Sequence, residues 1–152
     1  MDRCERAYTL HHSGLNCAQS VAGAFADRLP LPQEQLFAIC GGFAGGVGSS
    51  REELCGALSG GVVALGLLVP HTDGADTAAK QRVLTLTKEF RRRFAEAFGG
   101  ITRCGELLRA RPAASEATPA ALRLGITAHC DVMIVTAVEL VEAVAREAGV
   151  DL

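Results

Sequence analysis

Apolar residues recur every three to four positions along nearly the whole chain, and that period constrains the fold more than any other feature. Val83, Leu86, Phe90, Phe94 and Ala97 show it most plainly. They mark one buried stripe on a helix predicted over about 77–98. Nothing alternates with period two for long, so the chain reads as all-α. The expectation is a single compact helical domain over residues 1–152, with about five main helices, short connections and a Gly-rich loop.

The punctuation divides the chain as follows. A first helix runs from about Arg3 to His12 and stops at Ser13-Gly14. Asn16 is a good N-cap for a second, "CAQSVAGAFADRL", which Pro30 ends. Pro32 suits the first turn of a short third helix, "PQEQLFAIC". Residues 41–50, "GGFAGGVGSS", hold five glycines and read as a loop. The loop lacks the Walker pattern and follows no strand, so neither a phosphate loop nor a dinucleotide fingerprint is indicated. Ser50 with Glu53 predicts a capping box opening a fourth helix that runs to about Leu68. After the long helix, Thr102 is a candidate cap for "RCGELLRA". "RPAASEATPAALRLG" is a small-residue connector, and a last helix covers about His129 to Ala148.

Composition narrows the class of function. The 152 residues are 49% hydrophobic and 21% charged, with a formal net charge of −2. No electrostatic footprint for nucleic acid is present. The basic run Arg91–Arg93 lies between Phe90 and Phe94 at helical spacing and reads as a solvated helix face. The apolar run from Gly56 to Pro70 is rich in glycine and too short to span a bilayer. The opening "MDRCERAYTL" shows no apolar signal region, so a cytoplasmic protein without membrane association is expected. Tight apolar helices are compatible with a homodimer.

In that compartment stable disulfides are rare, and six cysteines call for metal, redox chemistry or plain burial. They are Cys4, Cys17, Cys40, Cys55, Cys104 and Cys130. No two are spaced as C-x-x-C, which excludes a thioredoxin motif, a zinc ribbon and covalent c-type haem. Cys17, Cys55, Cys104 and Cys130 fall near predicted helix N-termini. There the helix dipole and free N–H groups favour thiolate. Gly56 and Gly60, four apart on one helix face, leave room for another helix or a cofactor to approach the backbone. Helix packing alone would also account for them.

The segments "NCAQSV" (16–21), "CGALSGG" (55–61) with "ALGL" (64–67), "FGGITRCGELL" (98–108) and "HCDVMIVTAVELV" (129–141) carry a resemblance. In order and spacing they are similar to the C_GCAxxG_C_C family of redox-active proteins, over about residues 9–145. The resemblance maps the hallmark cysteines onto Cys17, Cys55, Cys104 and Cys130, and assigns nothing to Cys4 and Cys40. It also covers the glycine-rich loop. Asp131 stands where many relatives have proline, and aspartate suits a helix N-terminus equally well. The resemblance implies an all-helical redox protein, and the sequence does not name its redox partner protein. A more distant similarity to the iron–sulfur part of split-Soret-type cytochromes implies four cysteines on a cluster.

Three readings stay open at this point. The first is an iron–sulfur cluster held by the four cysteines for electron transfer. The second is thiol/disulfide chemistry without metal, Cys17 and Cys55 being the favoured pair and all four being candidate redox thiols. The third is a structural helical domain with inert cysteines, the role expected of Cys4 and Cys40 in any case. His129 neighbours Cys130 and reads as a polar neighbour, a tuning group or a ligand. His11, His12 and His71 read as surface residues at helix ends. No serine–histidine–carboxylate set and no EF-hand loop is present.

Overall fold

The computed structural model describes residues 1–152. It is all-helical, as the period requires, but it has eight α-helices rather than about five. They are α1 (Arg3–His12), α2 (Cys17–Gly23), α3 (Gln33–Cys40), α4 (Gly56–Leu68), α5 (Thr77–Ala97), α6 (Cys104–Ala110), α7 (Pro119–Arg123) and α8 (His129–Glu147). The elements beyond the main ones are short: α3 and α6, both expected as short helices, and the one-turn α7 inside the predicted connector.

α8 is the spine. Val132 to Val138 are all buried, as are Val141, Val144 and Ala145. A helix apolar on so many sides must be wrapped, and α1, α2, α4, α5 and α7 all pack on it. The stripe of α5 supplies buried Leu86, Phe90 and Phe94, with Phe98 beyond the helix end stacked edge-on against Phe94. No helix is long and apolar enough to cross a membrane.

Caps explain several starts. The Asp2 carboxylate accepts from Glu5 N, and Asp2 N donates to the Glu5 carboxylate in return, opening α1. Asn16 and Gln19 do the same for α2, as expected from Asn16. Asp76 accepts from Ala79 N at the head of α5.

Three boundary expectations are corrected. The second helix stops at Gly23 and only a 3-10 turn, Ala26–Arg28, follows. Packing sets this region, since a side chain at Gly23 would meet Phe37 at 2.7 Å and Leu10 at 2.9 Å. Pro32 is the N-cap of α3 rather than part of its first turn. Ser50 and Glu53 form no capping box, because α4 begins only at Gly56, with Cys55 as its N-cap. Ser50 Oγ instead donates back to Gly46 O and accepts from Glu52 N.

The reason lies in the glycine-rich loop. Gly45, Gly46, Val47, Gly48 and Ser49 run consecutively with φ near +60°, and Arg51 follows at +67°. Such a left-handed turn is natural for glycine and strained for the β-branched Val47. It is closed by Ser49 N donating to Ala44 O at 2.9 Å and Arg51 N to Gly45 O at 2.8 Å. The turn consumes the residues that would otherwise have begun α4.

Candidate four-cysteine site

Four helix starts converge. Cys17 is the first residue of α2, Cys55 the cap of α4, Cys104 the first residue of α6, and Cys130 the second of α8. Together they line one cavity of about 210 Å³, with Gly56 and Met133 in its wall. The thiols are separate, with no disulfide among the six cysteines.

Backbone pairing sets the Cys55–Cys104 side of the cavity. Cys55 N donates to Thr102 O at 2.8 Å, Cys104 N to Glu53 O at 2.9 Å, and Gly105 N to Arg51 O at 2.8 Å. Leu54 and Arg103 form an isolated antiparallel bridge between them. Thr102 therefore contributes its carbonyl to the clamp, and Arg103 occupies the N-cap position expected for Thr102. Gly46 is required here, since a Cβ on it would meet Cys104 Cβ at 2.8 Å and Glu53 O at 3.0 Å.

The glycines of α4 divide their tasks. A Cβ on Gly56 would overlap the Cys17 sulfur, so this glycine clears space inside the cavity. Gly60 lies outside the lining. A Cβ there would come within 2.5 Å of Ala18 O and 2.9 Å of Ala18 Cα, so it serves the close crossing of α2 and α4.

The cavity is deep on one side and open on the other. Cys55 and Cys104 are buried, whereas Cys17 and Cys130 are half-buried. Burial pushes the Cys55 thiol up to about 12, against the backbone N–H groups of Ala57 and Leu58, which favour its thiolate. Cys130 is raised by burial and by the neighbouring Cys17 and Cys104, with Arg51 acting in the opposite sense. Arg51 Nη1 is 3.9 Å from Cys104 Sγ and is the cation of the cavity wall. Cys55 Sγ lies 4.0 Å from Met133 Sδ.

Cys4 and Cys40 lie elsewhere and are buried, Cys4 donating to Val135 O at 3.6 Å. His129 does not line the cavity. The histidine that does is His11. His11 and His12 are not merely surface residues at a helix end: their rings reach Asp131, 119–120 residues away, at 2.6 Å and 3.0 Å. Only the distance in sequence hid this. His71 is half-buried rather than exposed.

A helical domain that gathers four thiols from four helix starts into one cavity defines a class of cysteine-centred protein. The chain belongs to the family described as "Putative redox-active protein (C_GCAxxG_C_C)", whose model matches residues 15–144. No curated protein and no solved structure matches the chain.

Proposed function

We propose that Cys17, Cys55, Cys104 and Cys130 hold an iron–sulfur cluster, and that the protein carries electrons to and from a redox partner protein. The observation that carries this reading is the meeting of four thiols, each from a different helix start, on one small cavity. Four thiolates are the usual complement of [2Fe–2S] and [4Fe–4S] centres. The donor set fits, and so does the surrounding wall: Gly56 leaves room beside Cys17, and no carboxylate lines the cavity.

The cluster supplies reversible one-electron chemistry when bound. The chain's own residues set its surroundings. Ala57 and Leu58 N–H groups face the Cys55 sulfur and lower the cost of its negative charge. The Arg51 guanidinium offsets charge at Cys104. Buried Met133 and the wall behind Cys55 exclude water. Cys17 and Cys130, at the open side, give electrons their shortest route to a partner.

The second reading is a dithiol that loses two electrons and two protons to a disulfide substrate and becomes a disulfide itself. Its support is the seat of the Cys17 sulfur against Gly56, the residue after Cys55. Burial favours the neutral thiol of Cys55, so the half-buried Cys17 would be the attacking sulfur of such a pair.

Anaerobic reconstitution with iron and sulfide, followed by visible spectroscopy, separates the two. Broad visible absorption that bleaches on reduction and disappears in Cys55→Ser and Cys104→Ser supports the cluster. A colourless protein whose thiol count falls by pairs on oxidation overturns it in favour of the dithiol.

A further inference from the structure

His11, His12 and Asp131 bring three ligand atoms within 4.8 Å of one another. His11 and His12 end α1, and Asp131 stands in the first turn of α8. The carboxylate of Asp131 is only 5% exposed and no lysine or arginine pairs with it. A buried carboxylate without a basic partner is costly unless it is hydrogen-bonded or metal-bound. Here its two oxygens face two ring nitrogens: His11 Nδ1 at 2.6 Å from Oδ1 and His12 Nε2 at 3.0 Å from Oδ2.

The rings are held rather than loose. His12 lies against Tyr8, ring centres 4.1 Å apart. The His11 ring meets that of His12 edge-on and is half-buried. His12 and Asp131 also line a second cavity of about 420 Å³, open to solvent. An ion and its remaining water ligands can therefore reach the group without passing the cysteines.

We infer that His11, His12 and Asp131 form a binding site for a divalent first-row transition cation, of which zinc is the test case, with a ligand set distinct from the four cysteines. Two imidazoles and one carboxylate suit zinc or iron(II) far better than calcium or magnesium, which prefer all-oxygen sets. Tetrahedral ligation at ordinary zinc bond lengths needs ligand atoms about 3.3 Å apart. The ligand atoms, one from each residue, lie within 4.8 Å of one another, with His11 Nδ1 on Oδ1 at 2.6 Å and His12 Nε2 on Oδ2 at 3.0 Å, so ligation asks for adjustment of side chains and not of the helices. On binding, each ligating nitrogen presents its lone pair, and the proton it shared with Asp131 moves to the other ring nitrogen or to solvent. The cation then joins the end of α1 to the start of α8. His11 also lines the cysteine cavity and Asp131 follows Cys130, but no cysteine belongs to this ligand set.

The test is zinc titration of the full, reduced chain labelled with nitrogen-15 in its histidines, followed by ring-nitrogen spectra. The expected result is a saturable shift of the His11 and His12 ligating nitrogens, with His71 and His129 unmoved. His12→Gln, at a half-exposed position, and Asp131→Asn each weaken the zinc affinity read this way by at least about tenfold. Zinc taken up by the thiols alone, with the His11 and His12 rings unchanged, overturns the proposal. So does an unchanged affinity in folded His12→Gln. Iron loading of the cysteines is measured separately and bears on the other site only.

Discussion

The sulfur of Cys17 fills the space that a Cβ on Gly56 would occupy. Helix propensity alone favours alanine over glycine inside a helix by about 1 kcal/mol. Gly56→Ala is nevertheless expected to expel the Cys17 sulfur from its seat, with Phe43 O a further 3.2 Å obstacle. The measurement is iron retained after reconstitution. The variant folds, by circular dichroism, but holds much less iron than the parent. Full loading in a folded variant contradicts the seat.

Gly60 gives a contrasting result. Its would-be Cβ meets Ala18 backbone, which cannot rotate away. Gly60→Ala should destabilise the protein by about 1–3 kcal/mol, the usual range for overpacking. Urea unfolding reads the change directly. A variant as stable as the parent shows that α2 and α4 separate freely.

Arg51 offers an electrostatic test. Its guanidinium lies 3.9 Å from Cys104 Sγ, where, under the proposed function, it would stabilise the more negative, reduced cluster. Arg51→Gln should lower the midpoint potential by some tens of millivolts, equivalent to about 1 kcal/mol for one electron. Its left-handed backbone, φ +67°, is tolerated by glutamine no worse than by arginine. Spectroelectrochemistry checks the direction. A positive shift contradicts the assignment.

The buried thiols outside the cavity predict alkaline sensitivity. Burial lifts Cys4 from 9.0 to about 12, helped by the charges of Asp2, Glu139 and Glu142. Burial lifts Cys40 from 9.0 to about 11. Above the unfolded value the unfolded chain has lost these protons while the folded chain keeps them. Folding stability therefore falls as pH rises from 9.0 toward about 11 for Cys40 and about 12 for Cys4. Each thiol contributes a slope of up to about 1.4 kcal/mol per pH unit. Unfolding measured at about pH 8 and about pH 10.5 reads it, and Cys40→Ala should flatten the decline. An identical decline in Cys40→Ala contradicts the prediction.

The parts legible in the sequence share a physical cause. α1, α5 and α8 are long or sharply capped, and their periods place them within a residue or so of where they lie. The Asn16 cap fixes Cys17 at the head of α2 for the same reason. What escaped reading depends on contacts between distant segments. The clamp of residues 51–55 on 102–105 turns Cys55 into a cap and starts α4 late. The consecutive left-handed residues from Gly45 to Ser49 include Val47 and Ser49, which no local preference assigns to that region. The pairing of His11 and His12 with Asp131 arises only because α1 packs on α8. Local chemistry gave the elements, and tertiary packing brought the two histidines to Asp131.

Iron and acid-labile sulfide, assayed per chain on anaerobically reconstituted protein, test the central claim most directly. The account predicts iron and sulfide in equal amounts, retained through desalting, and lost when Cys17, Cys55, Cys104 or Cys130 is replaced by serine while Cys40→Ala keeps them. Absence of both from folded, fully reduced protein, or retention unaffected by those four replacements, contradicts it.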